Sequence, residues 1–205
     1  MSRATARQSA APPSPGLCAA FSTTSEATLR LFFALWPDPD TREAIARATC
    51  EAVERAGGRA VPVVNYHLTL AFLGEQPERL LTALARMAAE VEPPRGRLRL
   101  DRLGCFEKAG VLWLGPERTP APLRAWVRTF FAALASFGIA AERRPFAAHL
   151  TLARKIRCAP KLPPARAVYW EYEGFALVES VRGREGSEYR VLAEWPAGAR
   201  GCPVK

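Results

Sequence analysis

The sequence is poor in histidine, and its cysteines are not clustered. Only two of its 205 residues are histidine, His67 and His149. The five cysteines form no C-x-x-C pair and are widely spaced, at Cys18, Cys50, Cys105, Cys158 and Cys202. An odd number of isolated cysteines argues against a disulfide framework and against a structural zinc site. The cysteine usage therefore predicts a reducing, cytoplasmic location.

Long hydrophobic runs and cofactor-binding motifs are also missing. No stretch of about 18 apolar residues occurs, so the sequence predicts no membrane span. We find no phosphate-binding P-loop, no glycine-rich dinucleotide loop and no cluster of carboxylates that would suit a metal. The sequence therefore predicts a protein that works without a metal and without a cofactor.

Acidic residues are fewer than basic ones. The chain has 20 Asp and Glu against 29 Lys and Arg, which gives a formal net charge of +9 and a pI near 9.9. The only charged residues among the first 27 are Arg3, Arg7 and Glu26, so most of the excess positive charge belongs to the rest of the chain. A basic body of this kind favours an anionic partner such as nucleic acid.

The two ends of the chain differ in composition from the middle. Residues 1–27 are rich in Ser, Ala, Thr and Pro without apolar periodicity, which predicts a disordered N-terminal tail. They lack the continuous apolar core of a signal peptide, although an acid-poor start that contains Arg and Ser also fits a transit peptide. Residues 28–196 are long enough for one substantial core, and we predict a single domain there. Residues 197–205 are predicted to form a short C-terminal tail.

Both histidines open the same phrase, HLTLA, once at residues 67–71 and again at residues 149–153. Successive side chains of a strand point to opposite faces. A regular first strand therefore directs Leu68, Leu70 and Phe72 to one face, with the histidine and threonine on the other. The second copy has the same alternation. If the two copies are neighbours in space, two imidazoles and two hydroxyls converge on one site.

Helical and strand patterns alternate along the chain. An apolar strand at 29–36 precedes a helix for which Asp40 and Glu43 form a predicted N-terminal capping pair. Gly57 and Gly58 are predicted to end that helix. Two further helices follow, one after Pro77 and one from Pro122, each with an apolar stripe typical of a core-facing surface. Together with a hairpin predicted over residues 97–114, this order predicts an α+β fold of two similar lobes, with helices packed outside antiparallel sheets.

Two histidines and two threonines suit displacement at phosphorus, in which nucleophile and leaving oxygen stand in line on opposite sides. A neutral imidazole takes a proton from the nucleophile, and a protonated imidazole gives one to the leaving oxygen. Histidine suits both parts because its ordinary pKa, about 6.5, is close to neutrality. The threonine hydroxyls are suited to donate hydrogen bonds to the equatorial oxygens. The residues alone leave open which histidine plays which part.

The two HLTLA copies resemble the paired H-x-T-x motifs of the 2H phosphoesterase superfamily. Other segments resemble its RNA 2′,3′-cyclic phosphodiesterase branch, namely residues 31–35, 72–74, 111–115, 177–180 and 195–196, together with Pro145. The resemblance covers roughly residues 29–196. It implies a bilobal fold with a pseudo-twofold axis, two antiparallel sheets and a central cleft that holds a metal-free site.

The resemblance also implies an activity and residue roles. The activity is the hydrolysis of RNA 2′,3′-cyclic phosphate ends to 2′-phosphomonoesters by a monomeric enzyme. His67 would be the proton donor and His149 the proton acceptor, while Thr69 and Thr151 would bind the phosphate. Some members of the family also join RNA through a 2′–5′ linkage, but this sequence has nothing that would activate an end with ATP.

Several assignments stay open at this point. Arg154 follows the second motif and is a candidate substrate-binding residue, although a regular strand would turn it away from the histidine. Arg97 and Arg99 share a strand face and would either follow an RNA backbone or face solvent. Two other functions fit the same residues: a nucleotide-binding module without turnover, and a phosphodiesterase for small cyclic nucleotides.

Overall fold

A computed structural model describes residues 27–141, 144–156, 162–183 and 186–198 of the chain. The strands are β1 (Thr28–Leu35), β2 (Arg59–Ala60), β3 (Leu68–Pro77), β4 (Arg95–Leu100), β5 (Arg102–Phe106), β6 (Val111–Gly115), β7 (Leu150–Arg154), β8 (Val168–Gly183) and β9 (Gly186–Pro196). The helices are α1 (Pro39–Ala56), α2 (Leu81–Glu90) and α3 (Ala121–Leu134). Almost all of the predicted N-terminal tail and most of the C-terminal tail lie outside the described residues, as do Cys18, Cys158 and Cys202.

The strands form a nine-stranded sheet in which every pair is antiparallel. Its main path runs β4-β8-β1-β3-β7-β6-β5, with β9 beside β8 and β2 beside β7. The predicted α+β fold with antiparallel sheets is thus confirmed. The sheets of the two halves are joined at their edges into one continuous sheet. Strands β3 and β7 join the two halves through one residue pair, Leu68 with Leu150.

The main hydrophobic core lies between one face of the sheet and the helices. Alternate residues of β1, Leu31, Phe33 and Leu35, are completely buried there. The Phe33 ring meets the ring of Phe130 on α3 edge to face, with 4.8 Å between centroids. Such aromatic pairs add to the free energy gained by burying the rings. Because β1 alternates, its other side chains, Phe32 among them, face the opposite side of the sheet.

Asp40 and Glu43 were predicted to cap the N-terminus of α1. This prediction was wrong, because the helix begins two residues earlier. The N-cap is Asp38, whose carboxylate accepts hydrogen bonds from the Thr41 backbone N–H at 2.9 Å and from its hydroxyl at 2.6 Å. These hydrogen bonds lower the pKa of Asp38. Pro39 takes the first helical position, where a missing N–H does no harm. The helix ends at Gly57, as predicted, with a φ of 63° that favours glycine.

Both HLTLA strands carry a β-bulge at the second leucine. In β3, Phe33 and Ala34 of β1 pair with Ala71 and Thr69, so that Leu70 has no partner on β1. In β7, the neighbours Leu112 and Trp113 of β6 pair with Ala153 and Thr151, which omits Leu152 in the same way. A bulge inserts one residue and therefore reverses the alternation of every residue after it.

The bulges correct the predicted orientation of the residues that follow each motif. Phe72 pairs with Phe32 and is 45% exposed, so the prediction that it faces the core was wrong. Arg154 pairs with Val111, which shares its strand face with Trp113 two residues on. Both therefore share the sheet face of the histidines. The prediction from sequence assumed regular alternation along each strand, and regular alternation has no place for a bulge residue.

No helix in the described ranges is both long enough and apolar enough to cross a membrane.

Candidate active site

The pair Leu68–Leu150 places the two motifs side by side. In an antiparallel ladder, continuing this register by one residue in each direction sets His67 opposite Thr151 and Thr69 opposite His149. Both leucines are completely buried on the core side. The histidines and threonines therefore share the other side, which we call the histidine face. Each half supplies one imidazole and one hydroxyl, and each imidazole lies across from the hydroxyl of the other half.

His67 is half-buried among aromatic rings. The Trp36 ring stacks on it at 5.4 Å between centroids with an interplanar angle of 10°. Phe32 lies at 4.8 Å and Tyr189 meets it edge-on at 5.0 Å. Phe32 and Trp36 come from the outward side of β1 and the residue after it, while Tyr189 comes from β9. The imidazole is thus held by residues from both ends of the sequence.

The surroundings of His67 favour its neutral form. Burial lowers the pKa of His67 to about 4, even though a hydrogen bond to the Asn65 carbonyl acts in the opposite direction. The positive charges of Arg154 and His149 lower this pKa further. Both groups lie on the histidine face together with His67. Without an anion nearby, His67 is therefore neutral at pH 7.

His149 has a partly similar environment in the other half. The Phe106 ring meets it edge-on at 5.1 Å, and the Trp113 ring lies at 6.4 Å. Trp113 rests against Gly104, where a Cβ atom would come within 2.1 Å of the indole ring. Any side chain at Gly104 would displace the indole, so glycine is required there. The backbone before the histidine is held by Thr119, whose hydroxyl accepts a hydrogen bond from the Ala148 N–H at 2.8 Å.

Both imidazoles are oriented in the same way. The Nδ1 atom of His67 lies 2.7 Å from the Asn65 carbonyl oxygen, and that of His149 lies 2.8 Å from the Ala147 carbonyl oxygen. A carbonyl only accepts, so each Nδ1 carries the hydrogen and donates it. Among the residues that the structure describes, neither Nε2 atom has a hydrogen-bond partner. Each Nε2 is thus left to exchange a proton with a ligand.

The structure brings Arg154 to this site but leaves Arg97 and Arg99 elsewhere. Arg154 lies on the histidine face beyond the bulge, close enough to His67 to affect its pKa. Arg97 and Arg99 lie on β4, which pairs with residues 168–173 at the start of β8. Arg97 stands 3.9 Å from a Glu171 carboxylate oxygen and over the Tyr169 ring, and Arg99 stands 2.7 Å from an Asp101 oxygen. Their charges are therefore already balanced by neighbouring carboxylates.

Sequence patterns missed Tyr189 and Asn65, which both shape the surroundings of His67. The Asn65 side chain donates a hydrogen bond of 3.1 Å to the Ser187 carbonyl, which ties the start of β9 to the segment before His67. This contact helps hold Tyr189 against the imidazole. The two partners are far apart in sequence, and periodicity within one strand carries no information about such a contact. No signal in the sequence points to either residue.

Potential metal ligands are sparse in the described ranges. No group of three or more His, Cys, Asp or Glu side chains there is arranged to hold a metal ion. The polar groups that converge on the histidine face are instead two imidazoles, two hydroxyls and one guanidinium. Such a set can bind an anion and move protons at two positions.

Comparison with known proteins agrees with this arrangement. The 2′-5′ RNA ligase superfamily profile matches residues 37–182. The chain belongs to that superfamily. It is 36% identical to the RNA 2′,3′-cyclic phosphodiesterase of Thermus thermophilus over 179 residues, which cover 82% of this chain and 89% of the relative. It is 33% identical to the protein of the same name from Escherichia coli over 168 residues, which cover 81% and 95% of the two chains.

Solved structures of the superfamily share the fold. The crystal structure of E. coli LigT complexed with 3′-AMP aligns with a TM-score of 0.77 and 31% identity, covering 84% of this chain and all of that one. The structure of TT0787 of Thermus thermophilus aligns with a TM-score of 0.71 and 30% identity, covering 84% and 99% of the two chains. The bilobal 2H phosphoesterase fold expected from the paired motifs is thus confirmed.

Proposed function

We propose that the protein hydrolyses RNA 2′,3′-cyclic phosphate ends to 2′-phosphomonoesters by two-histidine acid–base catalysis without a metal. One observation carries the proposal: the Leu68–Leu150 pair sets each histidine opposite the threonine of the other half. Superfamily relatives named RNA 2′,3′-cyclic phosphodiesterase support the choice of substrate. The net charge of +9 agrees with a polyanionic partner.

The proposed reaction uses the two Nε2 atoms, in the roles that the resemblance to the 2H phosphoesterases implies. His149 Nε2, unprotonated, takes a proton from a water molecule as its oxygen attacks phosphorus. The P–O3′ bond opposite the attacking oxygen breaks, and the protonated His67 Nε2 gives its proton to O3′. Thr69 and Thr151 donate hydrogen bonds to the non-bridging oxygens, which carry the negative charge. The product has a 2′-phosphate and a free 3′-hydroxyl.

Product identity tests the proposal directly. We expect an oligonucleotide with a 2′,3′-cyclic phosphate end to yield a 2′-phosphate, also in excess EDTA, because protein side chains perform both proton transfers. Phosphorus NMR against 2′- and 3′-phosphate standards distinguishes the two products. A predominant 3′-phosphate would mean that O2′ leaves, which would exchange the parts given to the two histidines. Activity that EDTA abolishes and one divalent ion restores would refute the metal-free scheme.

The part of proton donor places a condition on His67. Its pKa of about 4 in the unliganded protein means that it binds a proton only when a nearby anion stabilises the imidazolium. A phosphate diester carries a full negative charge, and an opposite charge within about 4–6 Å raises the pKa of an imidazole. The substrate would thus charge the acid that cleaves it. The burial of His67 also favours the exchanged assignment, with His67 as base and His149 as acid.

Titration of the two histidines separates these assignments. The chain has only two histidines, so its imidazole NMR spectrum contains two Cε1 signals, and a His149→Asn variant assigns them. We expect the His67 signal to titrate near pH 4 in the free protein. With a saturating 2′-nucleotide its pKa should rise, so that binding at pH 6 takes up protons. If the pKa of His67 stays near 4 in the complex, His67 is not the proton donor.

We further propose that the enzyme acts as a cytoplasmic monomer on RNA ends. Both catalytic histidines belong to one chain, so the site needs no second copy. The E. coli relative has been crystallised with 3′-AMP, phosphate, NADP⁺ and ATP. Those complexes support recognition of a nucleotide phosphate here, and they keep small cyclic nucleotides as an alternative substrate class. Comparing turnover of mononucleotide and oligonucleotide cyclic phosphates distinguishes the two classes, and turnover of neither would leave a non-catalytic binding module.

A further inference from the structure

Two arginines face each other across neighbouring strands beside the histidine face. Arg59 of β2 pairs directly with Arg154 of β7, and both side chains are exposed. Side chains directly opposite in an antiparallel pair lie on the same side of the sheet, with Cβ atoms about 4.5–5.5 Å apart. Like charges in this arrangement repel each other and destabilise the sheet. An anion bound between the two guanidinium groups would relieve this repulsion.

The protein does not balance these charges itself within the described residues. Seven other arginines there each have a carboxylate within 4.0 Å, namely Arg30, Arg47, Arg55, Arg95, Arg97, Arg99 and Arg190. In the same ranges, neither Arg59 nor Arg154 has an ion-pair partner. What distinguishes Arg59 and Arg154 is that the two unpaired charges face each other beside the histidines.

The backbone holds the two arginines in register. A Cβ atom on Gly58 would come within 2.6 Å of the Arg154 carbonyl oxygen and 2.8 Å of that of Lys155, so β2 packs closely on β7. The Val61 N–H also donates to the Leu152 carbonyl at 2.8 Å. On the other side, the Ile156 N–H donates to the Gly110 carbonyl at 3.1 Å. The segment after β7 is therefore fixed from both sides, and so is the position of Arg154 beside Arg59.

We propose that Arg59, with Arg154, binds the phosphodiester that precedes the terminal nucleotide of the RNA. The proposal rests on the proposed function, because it takes the cyclic phosphate to lie between the histidines. Arg154 lies on the histidine face, on the same strand as Thr151, and so borders the cyclic phosphate. Arg59 lies directly opposite Arg154 on β2, on the side of β7 that faces β3, and neighbouring strands are about 4.7–4.9 Å apart. The next phosphate of an RNA chain is one ribose away from the first, and it meets the arginine pair there.

Arg59 therefore helps the enzyme to distinguish RNA ends from mononucleotides. A mononucleotide cyclic phosphate without a 5′-phosphate has no group for Arg59, whereas every RNA end has one. Planar guanidinium groups bind phosphate oxygens through two parallel hydrogen bonds, which suits a fixed pair of arginines. The enzyme should therefore prefer oligonucleotides over nucleosides that carry only the cyclic phosphate.

The test compares three substrates: adenosine 2′,3′-cyclic phosphate, its 5′-phosphorylated form, and the ApA dinucleotide with the same cyclic end. For each variant the readout is kcat/KM for the dinucleotide divided by kcat/KM for the adenosine compound. We expect this ratio to be about tenfold in the wild type, the size of one charge-assisted contact, and to fall towards one in Arg59→Ala. Arg59→Lys should keep part of the gain, since it retains the charge without the planar group.

The matched control is Arg86→Ala, which removes the same charge from the exposed side of α2 and should keep the wild-type ratio. An equal ratio in the wild type and Arg59→Ala would overturn the inference while the proposed function stands. Equal losses for both substrates would also overturn it, because Arg59 would then act on the cyclic phosphate or on the fold. Dependence on Arg59 for the 5′-phosphorylated nucleotide but not for the dinucleotide would refute a phosphodiester site. A wild type that turns over none of the three would refute the proposed function instead.

Discussion

Replacing either histidine should lower kcat by about 10²–10⁴-fold, the range for loss of a general acid or base. His67→Asn and His149→Asn each leave a side chain that cannot take or give a proton at the position of Nε2. Asparagine is preferred to alanine at position 67 because three aromatic rings contact the imidazole, and a small residue would leave a gap there. Steady-state turnover of a cyclic-phosphate oligonucleotide measures the loss.

The double variant shows whether the two histidines act in one reaction. If they do, removing both should cost little more than removing one, because groups that work as a unit are not additive. Melting temperatures of all variants are the control for folding. Wild-type turnover in both single variants would refute the assignment. A large loss in only one of them would leave a single-histidine mechanism.

The second-largest effect is expected at the threonines. Thr69→Val and Thr151→Val keep the shape of the side chain but remove its hydroxyl donor. Loss of one donor to developing charge typically costs about 10²–10³-fold in kcat. We expect losses at the lower end of that range, because the histidine face is partly open and water can replace part of the contact. The affinity for inorganic phosphate should fall in parallel.

Thr129→Val is the matched control for these variants, since Thr129 is an exposed threonine of α3 on the opposite side of the molecule's core. Its turnover should equal that of the wild type. Because each threonine lies opposite the histidine of the other half, the effects of Thr69→Val and Thr151→Val should also be compared with each other. Equal effects of the two variants would indicate an evenly shared phosphate. If neither variant affects kcat or phosphate affinity, the hydroxyls do not contact the phosphate.

The sequence predicted the two histidine motifs better than the residues that surround them. The motifs depend on local sequence patterns, whereas their surroundings depend on contacts between distant segments. The repeated HLTLA phrase identified both histidines because each copy carries its chemistry within five residues. The α3 stripe also followed from local periodicity, and Leu123, Val127 and Phe130 are buried as expected. These features depend on one strand or one helix alone.

The errors came from contacts between distant segments. The prediction for Phe72 assumed a regular strand, but pairing with β1 forces a bulge into β3. Tyr189 belongs to β9, which pairs with β8, and its ring reaches His67 beside Phe32 of β1. The low pKa of His67 likewise reflects burial by residues from several elements. A pattern within one segment cannot show which other segment will lie beside it.

The paired bulges have a consequence for insertions and deletions. Leu70 has no partner on β1 and Leu152 has none on β6, so deleting either would lengthen the regular ladder and leave its hydrogen bonds possible. The pairs beyond the bulge would keep their partners, because a strand without the extra residue alternates regularly between the two faces. Deleting Leu152 would keep Arg154 opposite Val111 on the histidine face, but it would remove a completely buried leucine from the core. In this protein the direction of Arg154 is therefore set by its pairing with β6 rather than by its distance in sequence from His149.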